Sequence, residues 1–417
     1  MGAAPGHELM TPQSLSQARR FAARVSWGAA LAFTAACTPS DTIDGASLRG
    51  SDQPAVSAGG ATSAASNDVP QAIGGVAQVS VTSQRDVATG LDVPWAIAFA
   101  PDGDMLITER DVGRILRIGP DGAATALTGP GAQDIASAND SQGEAGLLGM
   151  VLHPDDPSRL YVYQTRTNGN AVLRMALTGN TLSTPTVILD GIPKARNHDG
   201  GRLAFGPDGY LYVSTGDAGN SDLAQDKESL AGKILRVVAD GSDADGRAAP
   251  GNPFDTPVWT YGHRNVQGIG WVADGRMYAS EFGQNSTDEV NLIEPGRNYG
   301  WPIVEARDGA PAGTALGDTV DGLTYPVVEW ATDEASPSGL AVTNEGLYVG
   351  ALRGERVWRI PLTGGGVGDP QVLLDGLGRI RNVAVGPDGA LYLITGNTDG
   401  RGDVRDGDDR LVRLTIG

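Results

Sequence analysis

Cysteine is almost absent from this 417-residue chain, which has one, Cys37. A single cysteine excludes an internal disulfide, so the fold must be held by its core. With only four histidines, no Cys/His zinc spacing occurs either. Positive charge is scarce: 31 Lys and Arg stand against 50 Asp and Glu, a formal net charge of −19. That balance argues against a nucleic-acid partner, because phosphate backbones select a basic face. No glycine-rich phosphate loop opens a helix, which argues against a nicotinamide dehydrogenase of the Rossmann type. No Gly-x-Ser-x-Gly elbow marks a serine nucleophile.

Long apolar runs are missing too. The stretch VSWGAALAFTAA (25–36) is too short to span a bilayer comfortably. It follows Arg19, Arg20 and Arg24 and leads into Thr34-Ala35-Ala36-Cys37. That order of basic, apolar and small residues predicts a signal peptide over residues 1–37 and export to the periplasm. Small residues before a cysteine fit a lipoprotein site and a lipid anchor in the outer membrane. Thr34 stands where such sites usually carry leucine, so ordinary cleavage nearby is the alternative. Residues 38–78 are rich in Ser, Ala, Gly, Thr and Asp without apolar periodicity, and read as a flexible linker. The folded domain is expected over residues 79–417.

Glycine is abundant, with 60 residues, beside 25 prolines, so turns are frequent. They recur in a repeat: an apolar strand, a turn near Pro-Asp-Gly, a second strand. The copies are WAIAFAPDGDMLITER (95–110), LLGMVLHPDDPSRLYVY (147–163), RLAFGPDGYLYVSTG (202–216), GIGWVADGRMYASEFG (268–283), GLAVTNEGLYVGAL (339–352) and NVAVGPDGALYLITG (382–396). Successive turns lie 53, 53, 66, 71 and 43 residues apart, room for four short strands each. A lone hairpin is marginal, but six four-stranded units can close radially. The reading is an all-β, six-bladed β-propeller of four-stranded antiparallel blades. GRILRIG, AVLRMAL, GKILRVV, ERVWRIPL and DRLVRLTI alternate apolar and basic residues and are expected as outer strands. The last has no hairpin after it and is expected to close the ring with a strand near 79–90. One helical turn is expected near the start of 224–235.

In a propeller, residues just before the inner strands converge at one mouth of the channel. Those positions hold Glu144, His198, Arg264, Asn265, Arg379 and Arg381, and Arg353 reaches in from a loop. Several arginines gathered in an acidic chain point to an anionic ligand, since guanidinium holds carboxylates bidentately. Salt bridging between blades is the bland alternative, and His198 has a bland reading as a capping residue. His153 and His263 read as structural. Asp288 and Glu289, adjacent acids after a Gly/Asn/Ser loop, suit Ca²⁺ or a solvated loop.

These segments resemble the soluble PQQ-dependent glucose/sorbosone dehydrogenases, in their aldose sugar dehydrogenase branch. The resemblance rests on LDVPWAIAFAPDGDMLITER, GLLGMVLHP, NHDGGRLAFGPDGYLYVSTGD, LAGKILR, YGHRNVQGIGW, DEVNLIEPGRNYGWP, PSGLAV and RIRNVAVGPDGALYL, in order over residues 90–416. It implies a six-bladed propeller that oxidises aldose sugars to lactones. It implies that His198 is the base taking the anomeric hydroxyl proton while hydride passes to PQQ, with Arg264 and Asn265 beside the quinone. It implies that Arg353, Arg379 and Arg381 hold the PQQ carboxylates, and that Trp330 lies near the sugar. The main-chain carbonyls of Gly283 and Gln284 would bind the Ca²⁺ that polarises PQQ, and Asp288, Glu289 and Tyr299 would form a second, structural calcium site. Two positions depart from the pattern: Glu144 replaces a glutamine and Asn197 an aspartate. A carboxylate at 144 has three readings: it repels PQQ, binds a sugar hydroxyl, or pairs with an arginine. The residues do not name the sugar or the electron acceptor. Two other classes compete: a propeller that binds without redox chemistry, and a Ca²⁺-dependent lactonase.

Overall fold

The computed structural model describes residues 79–364 and 366–417. The expected signal peptide and linker lie outside the described residues. Six antiparallel sheets follow one another as blades. Their inner strands are Pro94–Phe99, Leu147–Leu152, Leu203–Phe205, Val266–Trp271, Pro337–Val342 and Ile380–Val385.

The repeated turn forms for a local reason. In four copies the turn Asp accepts a hydrogen bond from the amide two residues on: Asp102 from Asp104 at 3.2 Å, Asp208 from Tyr210 at 3.2 Å, Asp274 from Arg276 at 3.0 Å and Asp388 from Ala390 at 3.2 Å. The next residue is a left-handed glycine, as at Gly209 with φ 79°.

Each of the five alternating apolar–basic segments is the third strand of its blade, not the outermost; in the fourth blade that place is taken by Thr287–Ile293. Ala124–Ala126, Thr186–Ile192, Val258–Tyr261 and Gln371–Asp375 pair outside them. Three of these edge strands bury no more than one or two alternate residues, and Thr186–Ile192 buries no regular alternation, so their pattern is weak in sequence. The ring closes as expected: Val81–Ala88 pairs antiparallel with Leu411–Ile416, with Val81 opposite Ile416.

Adjacent blades are pinned by hydroxyls at the channel. Thr108 Oγ1 donates to the Leu148 carbonyl at 2.8 Å and Ser214 Oγ to Val266 at 2.9 Å. Ser280 Oγ donates to Ser338 at 2.6 Å and Ser338 Oγ to Arg381 at 2.8 Å. All four donors are buried. Between blades, side chains of both sheets interleave, as in the cluster of Trp95, Leu106, Leu148, Val162 and Leu173.

Among the described residues, two helical pieces interrupt the strands. A 3₁₀ turn at Ser221–Ala224 lies just ahead of the expected one. The helix Pro130–Ala138 has no counterpart in the sequence reading. It starts with a proline in its first turn and buries only Gly131 and Ile135, so its apolar face is too narrow to announce it.

Candidate active site

His198 stands at the mouth of the third blade with φ 63°, in the left-handed region. The hairpin that follows explains how it is held. Leu203 pairs with Val213, and the same register carried outward sets the Ala218 amide on the His198 carbonyl at 3.2 Å. Position 216 must be glycine, because a Cβ there would lie 1.9 Å from the His198 carbonyl oxygen. The register also brings Asp217 alongside the imidazole, with His198 Nδ1 2.7 Å from Asp217 Oδ1. Trp301 Nε1 donates to Asp217 Oδ2 at 2.8 Å, and the Gly219 amide donates to Oδ1 at 2.8 Å. Burial works to raise the Asp217 pKa, but the bonds from His198, Gly219 and Trp301 outweigh it and hold the carboxyl below its ordinary value. An ionised Asp217 accepts from Nδ1–H, which leaves Nε2 as the basic nitrogen. The His198 side chain is 13% exposed.

Glu144, Arg264 and Asn265 converge on the same place. Glu144 Oε2 accepts from the His198 amide at 3.0 Å and from Asn265 Nδ2 at 3.4 Å. Its other oxygen pairs with Arg401 at 2.8 Å, so the third reading of this carboxylate is the observed one. Burial raises the Glu144 pKa, yet the His198 amide and Arg401 prevail and keep it below its usual range. Asn265 is fully buried; its Oδ1 accepts from the amide of Gly200 at 3.1 Å and from Gln267 at 3.1 Å. Arg264 lies 5.5 Å over the Trp301 ring and touches the Phe282 carbonyl only at 3.4 Å. Burial lowers its pKa.

Arg379 and Arg381 are both buried. Arg379 pairs with Asp399 at 2.9 Å, while Arg381 reaches Asp399 only at 3.6 Å and Gln267 and Ser338 at 3.4 Å. Burial pulls the Arg381 pKa down to about 10. Arg381 lines one cavity with Glu144, Arg401, Asp199 and Trp95. Arg353 is exposed beside Leu352, which lines that cavity.

The remaining predicted residues fall elsewhere. Trp330 is on the outermost strand of the fourth blade and is buried between blades, 5.7 Å from Trp358. The chain places it in the core, and Trp301 is the aromatic at the mouth. Asp288 and Glu289 are successive residues of one strand and therefore face opposite sides. Asp288 accepts from the amides of Gly283 at 2.9 Å and Ser336 at 2.6 Å. Glu289 lies across from Glu281 and Glu329, and burial and the Glu281 carboxylate push it well above its usual range. Tyr299 stacks on His263 at 4.7 Å, with its hydroxyl on the Leu292 carbonyl. The three side chains do not meet at one point. Gly283 and Gln284 sit in a loop clamped by Glu305, whose Oε1 accepts from the amides of residues 284–287 at 2.7–3.2 Å. Neither of their carbonyls accepts a hydrogen bond among the described residues.

Sequence reading missed Asp217, Trp301, Arg401 and Asp399. Asp217 had a usable signal: extending the 203/213 pairing five residues outward sets position 198 opposite 218. Arg401 had none, since it comes from an irregular loop of the sixth blade.

Residues 91–412 match the profile of a family described as Glucose / Sorbosone dehydrogenase. The chain is similar to the PQQ-bound aldose sugar dehydrogenase of Streptomyces coelicolor, with 45% identity and TM-score 0.73 over 82% of this chain and 98% of that one. It is 32% identical to aldose sugar dehydrogenase YliI of Escherichia coli over 74% of this chain and 89% of the relative. It is 35% identical to an uncharacterized protein of Synechocystis over 76% of this chain and 84% of the relative.

Proposed function

The chain belongs to the glucose/sorbosone dehydrogenase family, and from that premise we propose that it is a PQQ-dependent aldose sugar dehydrogenase that oxidises sugars to lactones. The observation that carries the reading is the His198–Asp217 pair at 2.7 Å, set at a mouth that also gathers Arg264, Arg379 and Arg381.

The donor set suits a polycarboxylate. Arg264 and Arg379 each keep a buried Nε without a partner among the described residues, and Arg381 makes only long contacts. Asp399 takes up only part of this charge, and the unspent donors suit PQQ, a tricarboxylate. Glu144 opposes this set little, because its charge is spent on Arg401 and the His198 amide. The free carbonyls of Gly283 and Gln284 suit a hard cation such as Ca²⁺.

PQQ, when bound, supplies the acceptor for the two electrons leaving the sugar as hydride from C1. The chain supplies the rest. Asp217 fixes the imidazole so that Nε2 takes the anomeric hydroxyl proton as the C1–O double bond of the lactone forms. Asp217 also stabilises the imidazolium that results. Arg264 would supply positive charge to offset the negative charge that a bound acceptor gains. Asn265 orders Gly200 and Gln267 around the base. The basic, apolar and small-residue order of residues 19–37 supports a periplasmic location.

The test is dye-coupled oxidation of a panel of aldoses by the full chain, with and without PQQ and Ca²⁺. Activity that requires PQQ supports the reading; a chain that takes up PQQ but oxidises no aldose overturns it. Replacing His198 by Ala is expected to lower turnover by about 10²–10⁴ while the thermal shift on adding PQQ persists.

A further inference from the structure

The channel has a second end. Residues of all six blades line a cavity of about 400 Å³ there, mostly from the inner-strand halves nearer the Pro-Asp-Gly turns, with Arg202 and Leu203 from the third blade. Its lining residues are mainly aliphatic and aromatic, with Phe99, Met150, Leu152, Trp271, Val342 and Val385 among them, while close to half of the surface exposed in it is polar. Two polar side chains break this lining, Asn382 and Arg202, and Arg202 is its only charged residue.

Arg202 is 8% exposed, and no carboxylate lies within ion-pair distance of it among the described residues. Its Nε donates to the Gln267 carbonyl at 2.9 Å, its guanidinium lies 4.1 Å over the Trp95 ring, and its Nη2 is buried without a hydrogen-bond partner. Burial, and then the nearby Arg381, pull its pKa down to about 9, so it stays charged at neutral pH. A buried guanidinium without a counter-ion is costly. A pocket of this size that sets one unpaired charge among apolar side chains has the make-up of a small-molecule site.

We propose that this end of the channel is a second binding site, for a small monoanion with an apolar body, such as an aliphatic or aromatic monocarboxylate, whose carboxylate pairs with Arg202. The aliphatic walls take the body of the ligand, and Asn382 offers a further hydrogen bond. The site is independent of the redox reading. It adjoins the cavity beside His198 through Trp95, on which Arg202 packs, and through Gln267, whose carbonyl Arg202 holds; both line that cavity.

The experiment is calorimetric titration of the full chain with hexanoate and with benzoate, using hexan-1-ol and benzyl alcohol as uncharged counterparts. Two variants accompany it. Arg202→Met removes the charge. Val385→Trp fills the rim, where Val385 is 37% exposed, and leaves Arg202 and the far mouth untouched. Saturable binding of a carboxylate, with the matched alcohol weaker by about tenfold or more, supports the site if both variants abolish it. If Arg202→Met fails to fold, loss of binding in Val385→Trp decides the matter. Equal binding of acid and alcohol overturns the role of Arg202. Carboxylate binding that survives Val385→Trp assigns the ligand to the other mouth and overturns the site, as does an absence of binding by the native chain.

Discussion

At the scale of single residues, the His198–Asp217 pair, the proposed base and its partner, depends on both oxygens of Asp217 being acceptors. Oδ1 faces His198 and the Gly219 amide, and Oδ2 faces the Trp301 indole. An amide at this position must set an NH₂ against one of those donors. Asp217→Asn is therefore expected to lower kcat by about 10²–10⁴ with little change in KM, as steady-state kinetics would show. The neighbouring Asp199 behaves in the opposite way. It is buried, its Oδ2 lacks a partner among the described residues, and burial raises its pKa to about 6. The folded chain thus holds this proton to higher pH than the unfolded chain, so stability falls as pH rises from about 4 to about 6 and the penalty is complete above that. Asp199→Asn removes the penalty. Denaturant unfolding should find the variant close to the native chain near pH 4 and more stable by about 2–3 kcal/mol at pH 7.5; a gain that does not grow with pH would refute the assignment.

At the scale of strands and blades, the inner hairpins were legible because each combines period-two apolar alternation with a turn whose Asp and Gly have fixed local tasks. The fourth strands were not, because an edge strand is short, half-wet and recognisable mainly by its partner. The same divide runs through the site. His198, Arg264, Asn265, Arg379 and Arg381 are fixed by the start of an inner strand and could be placed from the repeat. Trp301 and Arg401 arrive on irregular loops whose course no local pattern dictates, and Trp330, named only through the resemblance, lies on an edge strand buried between blades. The hydroxyl pins between blades occupy equivalent places in the repeat, as Thr108, Ser214 and Ser280 show. Ser280 is fully buried and donates to the Ser338 carbonyl at 2.6 Å. Ser280→Ala leaves that carbonyl unmatched and is expected to cost about 1–2 kcal/mol, measured by the denaturation midpoint with an unchanged m-value.

At the scale of the whole molecule, the ring is held shut by one mixed blade in which Val81–Ala88 lies against Leu411–Ile416. Chains trimmed before residue 79 keep every hydrogen bond of that blade and should unfold in one transition at the native temperature. Chains trimmed before residue 89 expose the edge of the last strand and should melt lower and aggregate, which scanning calorimetry and light scattering would register. The clasp also sets an order in time. Thr82 bonds to Thr415 across 333 positions of sequence, so the earliest strand of the domain to be synthesised waits for the last. Such long-range pairing is slow to form, and the ring has no route to completion while its C-terminus is still on the ribosome. The same contact that makes the finished protein a closed circle keeps the nascent one open and threadable until it is whole.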